Sequence, residues 1–187
     1  PLLAQSAYDH VARGFVTGQG VSYENYPDFQ GFMSQLADAK HRQTLIDSFI
    51  PTVDEGNITM RLQKGITVCD VGCGRGTALL LMAQAFPNSR FLGMDIDTEV
   101  LGAAQKEAED LHLDNVRFMH QDVADVQEKT DWQGVFDYIT AFDAVHDQSH
   151  PLLALRGMRA MLKPDGLLSM VDIAASSNMA EGGARNR

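Results

Sequence analysis

The sequence predicts an α/β domain in which helices cover both faces of a mainly parallel β-sheet, forming a three-layer sandwich. From residue 66 onwards, short apolar runs alternate with longer segments whose apolar residues recur with helical periodicity. Four of the five apolar runs are followed directly by glycine or aspartate, which favour the turns that end strands. The chain has 187 residues, of which 44% are hydrophobic, so it is long enough to bury one core.

Residues 1–61 are predicted to be a helical and linker segment that covers the pocket of this domain. The first 30 residues mix glycines with aromatic residues, a composition typical of short helices and loops. A helical pattern follows from Phe32 to Phe49, and Pro51 is expected to end it. Three aromatic side chains are expected either to fold over the pocket or to pack in the core: Tyr23, Tyr26 and Phe29.

Residues 62–174 form the predicted α/β domain. Its five strands are predicted at residues 66–71, 90–96, 116–121, 135–142 and 167–173. Helices are predicted from Ala78 to Phe86, after Asp97, and from Pro151 through Leu162. Residues 163–166, Lys-Pro-Asp-Gly, are typical of a turn before the last strand.

Sheets of this kind bind ligands beyond the carboxyl ends of their strands. The sequence places four polar segments at such ends: residues 70–76, 95–97, 121–123 and 142–147. Because all four contain glycine or aspartate, we expect them to meet in one site.

Composition and charge argue against several classes of partner. The net charge of −10 repels phosphate backbones, and the pair Arg185 and Arg187 is too small for a basic patch, so no nucleic acid is expected. No apolar run reaches the roughly 20 residues of a membrane span, so no membrane partner is expected. Cys69 and Cys73 lie too close to one glycine turn to suggest a disulfide framework, which favours a reducing, cytoplasmic location.

The first strand runs into a glycine-rich turn at residues 72–76, Gly-Cys-Gly-Arg-Gly. Glycines at alternate positions let the backbone turn sharply and approach a ligand closely. This spacing is one residue shorter than the G-x-G-x-x-G of dinucleotide-binding turns. Asp70, just before the turn, would repel a pyrophosphate but suits a cationic ligand. A tight turn without a ligand would need the same glycines, so that interpretation stays open here.

Acidic residues also follow the second and third strands. Asp95 lies about 20 residues beyond the glycines, where an acid can accept both hydroxyls of a ribose. A helix-capping role is the alternative for Asp95, and it is the favoured interpretation for Asp97. Asp122 follows the third strand at the same sheet edge, as either a ligand-binding residue or a cap of the next turn.

Five blocks of the sequence resemble class I S-adenosylmethionine-dependent methyltransferases. In chain order they are VCDVGCGRG, FLGMDID, NVRFMHQDVAD, FDYITAFDAVHD and LKPDGLLSMVDI. The resemblance covers roughly residues 62–174 and is closest to a subgroup with a winged-helix domain before the catalytic domain. It implies a Rossmann-like fold, S-adenosylmethionine as the cofactor and a small-molecule acceptor with an oxygen or nitrogen nucleophile.

The resemblance also implies a set of cofactor-binding residues at the four strand ends. They are Asp70, Gly72, Cys73, Gly74, Gly76, Asp95, Ile96, Asp122, Val123, Phe142 and Asp143. The glycine loop and Asp70 are implied to meet the methionine part of the cofactor, as are Asp143 and the backbone of Phe142. Asp95 is implied to accept the ribose hydroxyls. The adenine ring is implied to contact Ile96, Asp122 and the backbone of Val123.

His146 is the candidate catalytic residue. The segment Val145-His146-Asp147 resembles the His-Asp pair of small-molecule O-methyltransferases, whose histidine is a general base. Alternatively, His146 is a loop residue that fixes Asp143 or Asp147 by hydrogen bonds. No metal is expected, because Pro151 keeps His150 out of helical register with His146. Family members that methylate nucleobase amino groups have Asn/Asp-Pro-Pro-aromatic where this chain has Ala-Phe-Asp-Ala, which argues against nucleic-acid acceptors.

Two other functions stay open at this stage. One is a truncated or inactive domain that binds the cofactor without turnover, and the other is an NAD(P)-dependent oxidoreductase, which Asp95 fits but the glycine spacing does not. Members of the resembled family continue after the fifth strand with a helix and two more strands, whereas residues 175–187 are predicted to be a polar tail. We therefore expect the C-terminal strands to be missing and a partner, such as the second copy of a homodimer, to cover the open strand edge.

Overall fold

The computed structural model describes residues 7–19, 29–127 and 129–174, with the side chains of residues 29–34 left aside. Five strands are observed in this part of the chain: β1 (Thr67–Val71), β2 (Arg90–Asp95), β3 (Val116–His120), β4 (Phe136–Phe142) and β5 (Leu162–Val171). They form one sheet in the order β3-β2-β1-β4-β5, and every observed pairing is parallel. The predicted α/β sandwich with a parallel sheet is confirmed.

α-Helices precede β1 and follow β1, β2 and β4, whereas the described residues between β3 and β4 contain only the 3₁₀ turns Val123–Asp125 and Thr130–Trp132. The α-helices are α1 (Tyr8–Thr17), α2 (Phe29–Thr44), α3 (Asn57–Lys64), α4 (Thr77–Ala85), α5 (Thr98–Asp110) and α6 (Pro151–Met161). The single helix predicted from Phe32 to Phe49 consists of α2 and a π-helical turn, Leu45–Phe49. Pro51 lies in the 3₁₀ segment Ile50–Gly56, since proline has no N–H with which to continue an α-helix.

The core lies on both faces of the sheet. Neighbouring residues of one strand belong to different buried clusters: Val68 packs with the first cluster and Cys69 with the second. The first cluster joins the N-terminal segment, α3 and α4 to the sheet, with Leu62 and Met82 fully buried. The second joins α6 to the opposite face through Met158. Helices on both faces bury the central strands β1 and β4, so their ends are the parts left open to a ligand.

The order of the strands creates a switch point beside β1. Asp70 of β1 is in register with Gly93 of β2 on one side and with Thr140 of β4 on the other. The chain proceeds from β1 to β2 and β3 in one direction, and it then crosses back to β4. Connections leave the sheet in opposite directions here, so a crevice opens at the carboxyl ends of β1 and β4.

The start of β5 differs from the prediction. Leu162 was predicted to end the last helix and residues 163–166 to form a turn, but α6 ends at Met161 and β5 begins at Leu162. Phe136 pairs with Leu162 and Tyr138 with Leu167, so residues 163–166 bulge from the ladder. Lys163 holds the bulge by donating to Asp137 Oδ2 at 2.8 Å. The turn-forming residues Pro164, Asp165 and Gly166 therefore lie in a bulge within a strand.

β5 forms one edge of the described sheet, with Met170 49% exposed. The predicted tail at 175–187 and the aromatic residues Tyr23 and Tyr26 lie outside the described residues, as does the side chain of Phe29. None of the helices in the described ranges combines the length and apolarity needed to cross a bilayer.

Candidate functional site

A cavity of about 430 Å³, a size typical of small-molecule sites, opens at the carboxyl ends of β1, β2, β3 and β4. Its lining consists of Val71, Gly72, Gly74, Arg75, Met94, Asp95, Ile96, Asp97, Val100, Gln121, Asp122, Val123, Asp143, Ala144, Asp147 and Gln148. All four polar segments identified in the sequence contribute to it. The lining contains five carboxylates and one guanidinium, so its charge favours a cationic ligand.

The glycine turn has the sharp backbone that its sequence predicts. Gly72, Gly74 and Gly76 all have positive φ, at 70°, 51° and 76°. The N–H groups of Gly72 and Cys73 both donate to the carbonyl of Met94 on β2, at 2.8 and 3.1 Å. The turn is thus tied to the neighbouring strand, and it presents Gly72 and Gly74 to the cavity.

Cys73 and Gly76 face away from the cavity. A Cβ on Gly93 would lie 2.7 Å from Cys73 Sγ, so the thiol packs against β2. Burial raises the pKa of the Cys73 thiol far above its ordinary value, which makes it a poor nucleophile. A Cβ on Gly76 would lie 2.5 Å from the Phe118 ring, so this glycine lets β3 pack beneath the turn. Cys73 and Gly76 therefore belong to the glycine turn but do not line the cavity.

Asp70 lies beneath the turn and is 3% exposed. Its Oδ1 accepts a hydrogen bond from Thr140 Oγ1 at 2.6 Å, which links β1 to β4. The pKa of Asp70 is raised to about 7, mainly by burial; the Thr140 hydrogen bond opposes this shift, and the nearby charge of Asp95 adds to it. Asp70 does not line the cavity, in contrast to the expectation of a carboxylate beside the ligand.

Asp95 lines the cavity and accepts hydrogen bonds from two backbone N–H groups of its lining. Its Oδ2 accepts the N–H of Gly74 at 2.8 Å, and its Oδ1 accepts the N–H of Asp97 at 3.0 Å. Each carboxylate oxygen has two acceptor positions, so capacity for a ligand hydroxyl remains on both. Asp97 caps α5 by accepting the N–H groups of Glu99 and Val100, which confirms the predicted cap.

Another part of the lining consists of Ile96, after β2, and the capped turn that follows β3. Ile96 lines the cavity while remaining 67% exposed, so it offers a bare apolar surface to a ligand. Asp122 Oδ1 accepts the N–H of Ala124 at 2.8 Å and begins the turn Val123–Asp125. Asp122 therefore caps the turn, as its alternative interpretation predicted, and also lines the cavity with Val123.

The end of β4 connects the cavity to the N-terminal segment. The Phe142 ring lies edge-on to His41 of α2 and to Phe49, with centroids 5.0 and 5.6 Å apart. Asp143 lines the cavity and has φ of 50°, a left-handed conformation that aspartate tolerates better than most residues. Lys40 Nζ lies 3.4 Å from Asp143 Oδ2. The side chain of Phe142 thus supports α2, and Asp143 faces the ligand space.

His146 lies in the loop between β4 and α6, beside the lining. Its Nδ1 lies 2.5 Å from Asp172 Oδ1, beyond the end of β5, and its Nε2 lies 3.4 Å from Asp147 Oδ1. His150 is in the same loop, where it precedes α6 with φ of −132°, so these histidines do not share a helix. In the described part of the chain, no three His, Cys, Asp or Glu side chains converge to hold a metal ion.

Several lining residues were not selected from the sequence. Arg75 sits inside the glycine motif, and Gln121 directly precedes Asp122; their positions beside predicted site residues are the signal that could have revealed them. Ala144 and Gln148 follow Asp143 in the same loop. Asp172 does not line the cavity; it belongs to the last of the five sequence blocks, but nothing in the sequence indicated its contact with His146, because the two residues are 26 apart.

A family model described as a methyltransferase domain matches residues 62–185. The chain is 29% identical over 114 residues to a demethylmenaquinone methyltransferase of Listeria welshimeri, covering 60% of this chain and 47% of that protein. It is 37% identical over 106 residues to a ubiquinone biosynthesis O-methyltransferase of Actinobacillus pleuropneumoniae, covering 56% and 44%. The chain spans about half the length of these curated relatives.

Solved structures share the fold. The YcgJ protein of Bacillus subtilis superposes with a TM-score of 0.57 at 27% identity, covering 65% of this chain and 50% of that one. The PKMT2 protein of Rickettsia typhi, solved in complex with AdoHcy, superposes with a TM-score of 0.52 at 28% identity, covering 59% and 21%.

Proposed function

Because this chain belongs to the methyltransferase domain family, we propose that it transfers a methyl group from S-adenosylmethionine to a small-molecule acceptor. The observation that carries the proposal is the cavity lined by the glycine turn, Asp95 and Ile96 at the sheet's switch point. One relative is named a demethylmenaquinone methyltransferase and another a ubiquinone biosynthesis O-methyltransferase, and the second name favours a hydroxylated aromatic ring as the acceptor.

The residues present fit S-adenosylmethionine. Its ammonium and sulfonium groups match a lining with five carboxylates, and Arg75 is available for its carboxylate. The absence of a Cβ at Gly72 and Gly74 leaves the backbone open to close approach by a ligand. A pyrophosphate would meet the same carboxylates unfavourably, which argues against a dinucleotide cofactor.

Each wall of the cavity has a proposed role in holding the cofactor. Asp95 accepts the ribose hydroxyls, for which it is oriented by the N–H of Gly74. Ile96 covers one adenine face, while Asp122 and the Val123 backbone contact the edge of the ring. Asp143 faces the methionine end. Asp70 acts from beneath the turn, where its hydrogen bond with Thr140 joins the end of β1 to β4.

When bound, the cofactor supplies a methyl group on a positively charged sulfur. The main task of the protein is to align the acceptor with that methyl group and to exclude water. His146 is proposed to accept the proton of the acceptor's hydroxyl group at Nε2, with the O–H electron pair remaining on oxygen. Its side chain is 36% exposed, and Ala144 and Asp147 of the same loop line the cavity.

The N-terminal segment is proposed to cover the pocket. The ion pair between Lys40 of α2 and Asp143 supports this role, because it places the helix at the cavity's edge. The relation to the winged-helix subgroup, a homodimer and a cytoplasmic location stay predictions.

Calorimetry tests the cofactor assignment. We expect AdoHcy and S-adenosylmethionine to bind with about micromolar Kd, or about −8 kcal/mol, and NAD to bind at least about tenfold more weakly. NAD binding that is equal or tighter would overturn the assignment.

A second assay tests turnover and the base. The chain is incubated with S-adenosylmethionine and either catechol or 1,4-naphthohydroquinone, and methylated product is detected by mass spectrometry. His146→Ala should leave the Kd for AdoHcy unchanged and reduce turnover by about 100- to 10,000-fold. Full turnover in this variant would exclude His146 as the base. Cofactor binding with no turnover of any acceptor would favour a binding domain without activity.

A further inference from the structure

The loop that carries His146 is attached to the end of β5 by one side chain, Asp172. The Oδ2 of Asp172 accepts the backbone N–H of His146 at 3.3 Å, and its Oδ1 lies 2.5 Å from the ring Nδ1. The same Oδ1 accepts the N–H of Ile173 at 2.7 Å. One carboxylate therefore holds both the backbone and the imidazole of the residue proposed as the base.

Asp172 is ionised at neutral pH. The hydrogen bond from the Ile173 N–H, together with those from His146, holds the pKa of this carboxyl group below its ordinary value. An ionised carboxylate can only accept hydrogen bonds, so the ring nitrogen facing it must carry a hydrogen. In a neutral imidazole the other nitrogen is then an unprotonated acceptor.

The other nitrogen lies nearer to residues that line the cavity. Nε2 is 3.4 Å from Oδ1 of Asp147, a lining residue, whereas Nδ1 faces Asp172, which does not line the cavity. Two carboxylates therefore face the ring, and the much shorter contact, 2.5 Å at Nδ1, decides which nitrogen carries the hydrogen. Asp172 therefore selects both the tautomer of the ring and the direction in which its basic nitrogen points.

We propose that Asp172 is a positioning residue that fixes His146 in the Nδ1–H tautomer, so that Nε2 is free to accept a proton from the methyl acceptor. This inference rests on the proposed function for its role in turnover, but the tautomer itself does not depend on it. In the transfer, the acceptor's hydroxyl proton forms a bond to Nε2, and the Nδ1–H bond to Asp172 stabilises the resulting imidazolium. Asp172 itself stays deprotonated.

Nitrogen NMR of the ¹⁵N-histidine-labelled chain tests the tautomer directly, with His146→Gln identifying the resonances. At a pH where His146 is neutral, we expect protonated Nδ1 and unprotonated Nε2. In Asp172→Asn the ring should shift towards the Nε2–H form, and Asp172→Glu should restore part of the original signal. Asp131→Asn, an exposed acid on the turn Thr130–Trp132, is the control and should leave the signal unchanged.

Turnover of catechol separates positioning from a merely structural role. Asp172→Asn should reduce turnover by no more than His146→Ala does, and it should have no further effect when His146 is already alanine. Nε2–H in the unmodified chain, or an unchanged tautomer in folded Asp172→Asn, would overturn the proposal. If His146→Ala leaves turnover intact while the tautomer depends on Asp172, the base role fails and the positioning contact stands.

Discussion

Substituting Gly72 by alanine tests whether the glycine turn is built around the loop that follows β4. Gly72 has φ of 70°, where an L side chain costs about 1 to 2 kcal/mol. A Cβ there would also lie 2.5 Å from the Cβ of Ala144, so one of the two loops must shift. Overpacking of this kind costs about 1 to 3 kcal/mol. We expect the free energy of unfolding to fall by about 2 to 5 kcal/mol in Gly72→Ala.

Gly74→Ala is the matched control. Gly74 has φ of 51°, but a Cβ there would meet no heavy atom within 4 Å, so the variant introduces the backbone strain without the clash. Its expected loss is about 1 to 2 kcal/mol. Urea denaturation followed by circular dichroism measures both losses. Adding Ala144→Gly to Gly72→Ala should recover the difference, since it removes the opposing Cβ. Equal losses in the two single variants, or no recovery in the double variant, would refute the contact.

Three further predictions follow from the same geometry. The pKa of Asp70 is raised to about 7 in the folded chain, so between about pH 4 and about pH 7 folding takes up a proton, and the free energy of unfolding falls as the pH rises through this range. Asp70→Asn should flatten this dependence, and urea denaturation at about pH 5 and about pH 8 measures it. Asp95→Ala should weaken AdoHcy binding by about 1.5 to 3 kcal/mol, because the ribose contact is lost and the Gly74 N–H is released; an unchanged Kd in calorimetry would leave Asp95 with a structural role alone. Gly157→Ala should destabilise the chain by about 1 to 3 kcal/mol although alanine favours helices, because a Cβ would lie 2.1 Å from the carbonyl oxygen of Val123; a raised Tm would contradict this.

Much of the fold was predictable because its signals are local. Strand and helix periodicities extend over a few residues each, and they identified the five strands and the three helices of the α/β domain. The start of β5 could not be predicted in this way. Lys-Pro-Asp-Gly has the same turn chemistry in a loop and in a bulge, and only the pairing of Leu162 with Phe136 decides between them.

The candidate site was predictable to the extent that strand ends meet at one edge of a parallel sheet. Asp95, Ile96, Asp122 and Asp143 all line the cavity for this reason. The sequence does not show which face of the turn each residue takes, so Asp70 and Cys73 were expected at the ligand and instead lie in the packing beneath it.

The sequence by itself determined the alternation of strands and helices, the glycine turn and the order of the acidic strand ends, since each depends on residues close together in the chain. The tertiary structure decided which distant side chains form hydrogen bonds or ion pairs: Thr140 with Asp70, Lys40 with Asp143, and Asp172 with His146. These partners are 70, 103 and 26 residues apart. Contacts of that separation depend on strand order and crossover direction, and hydrophobic periodicity leaves both of these open.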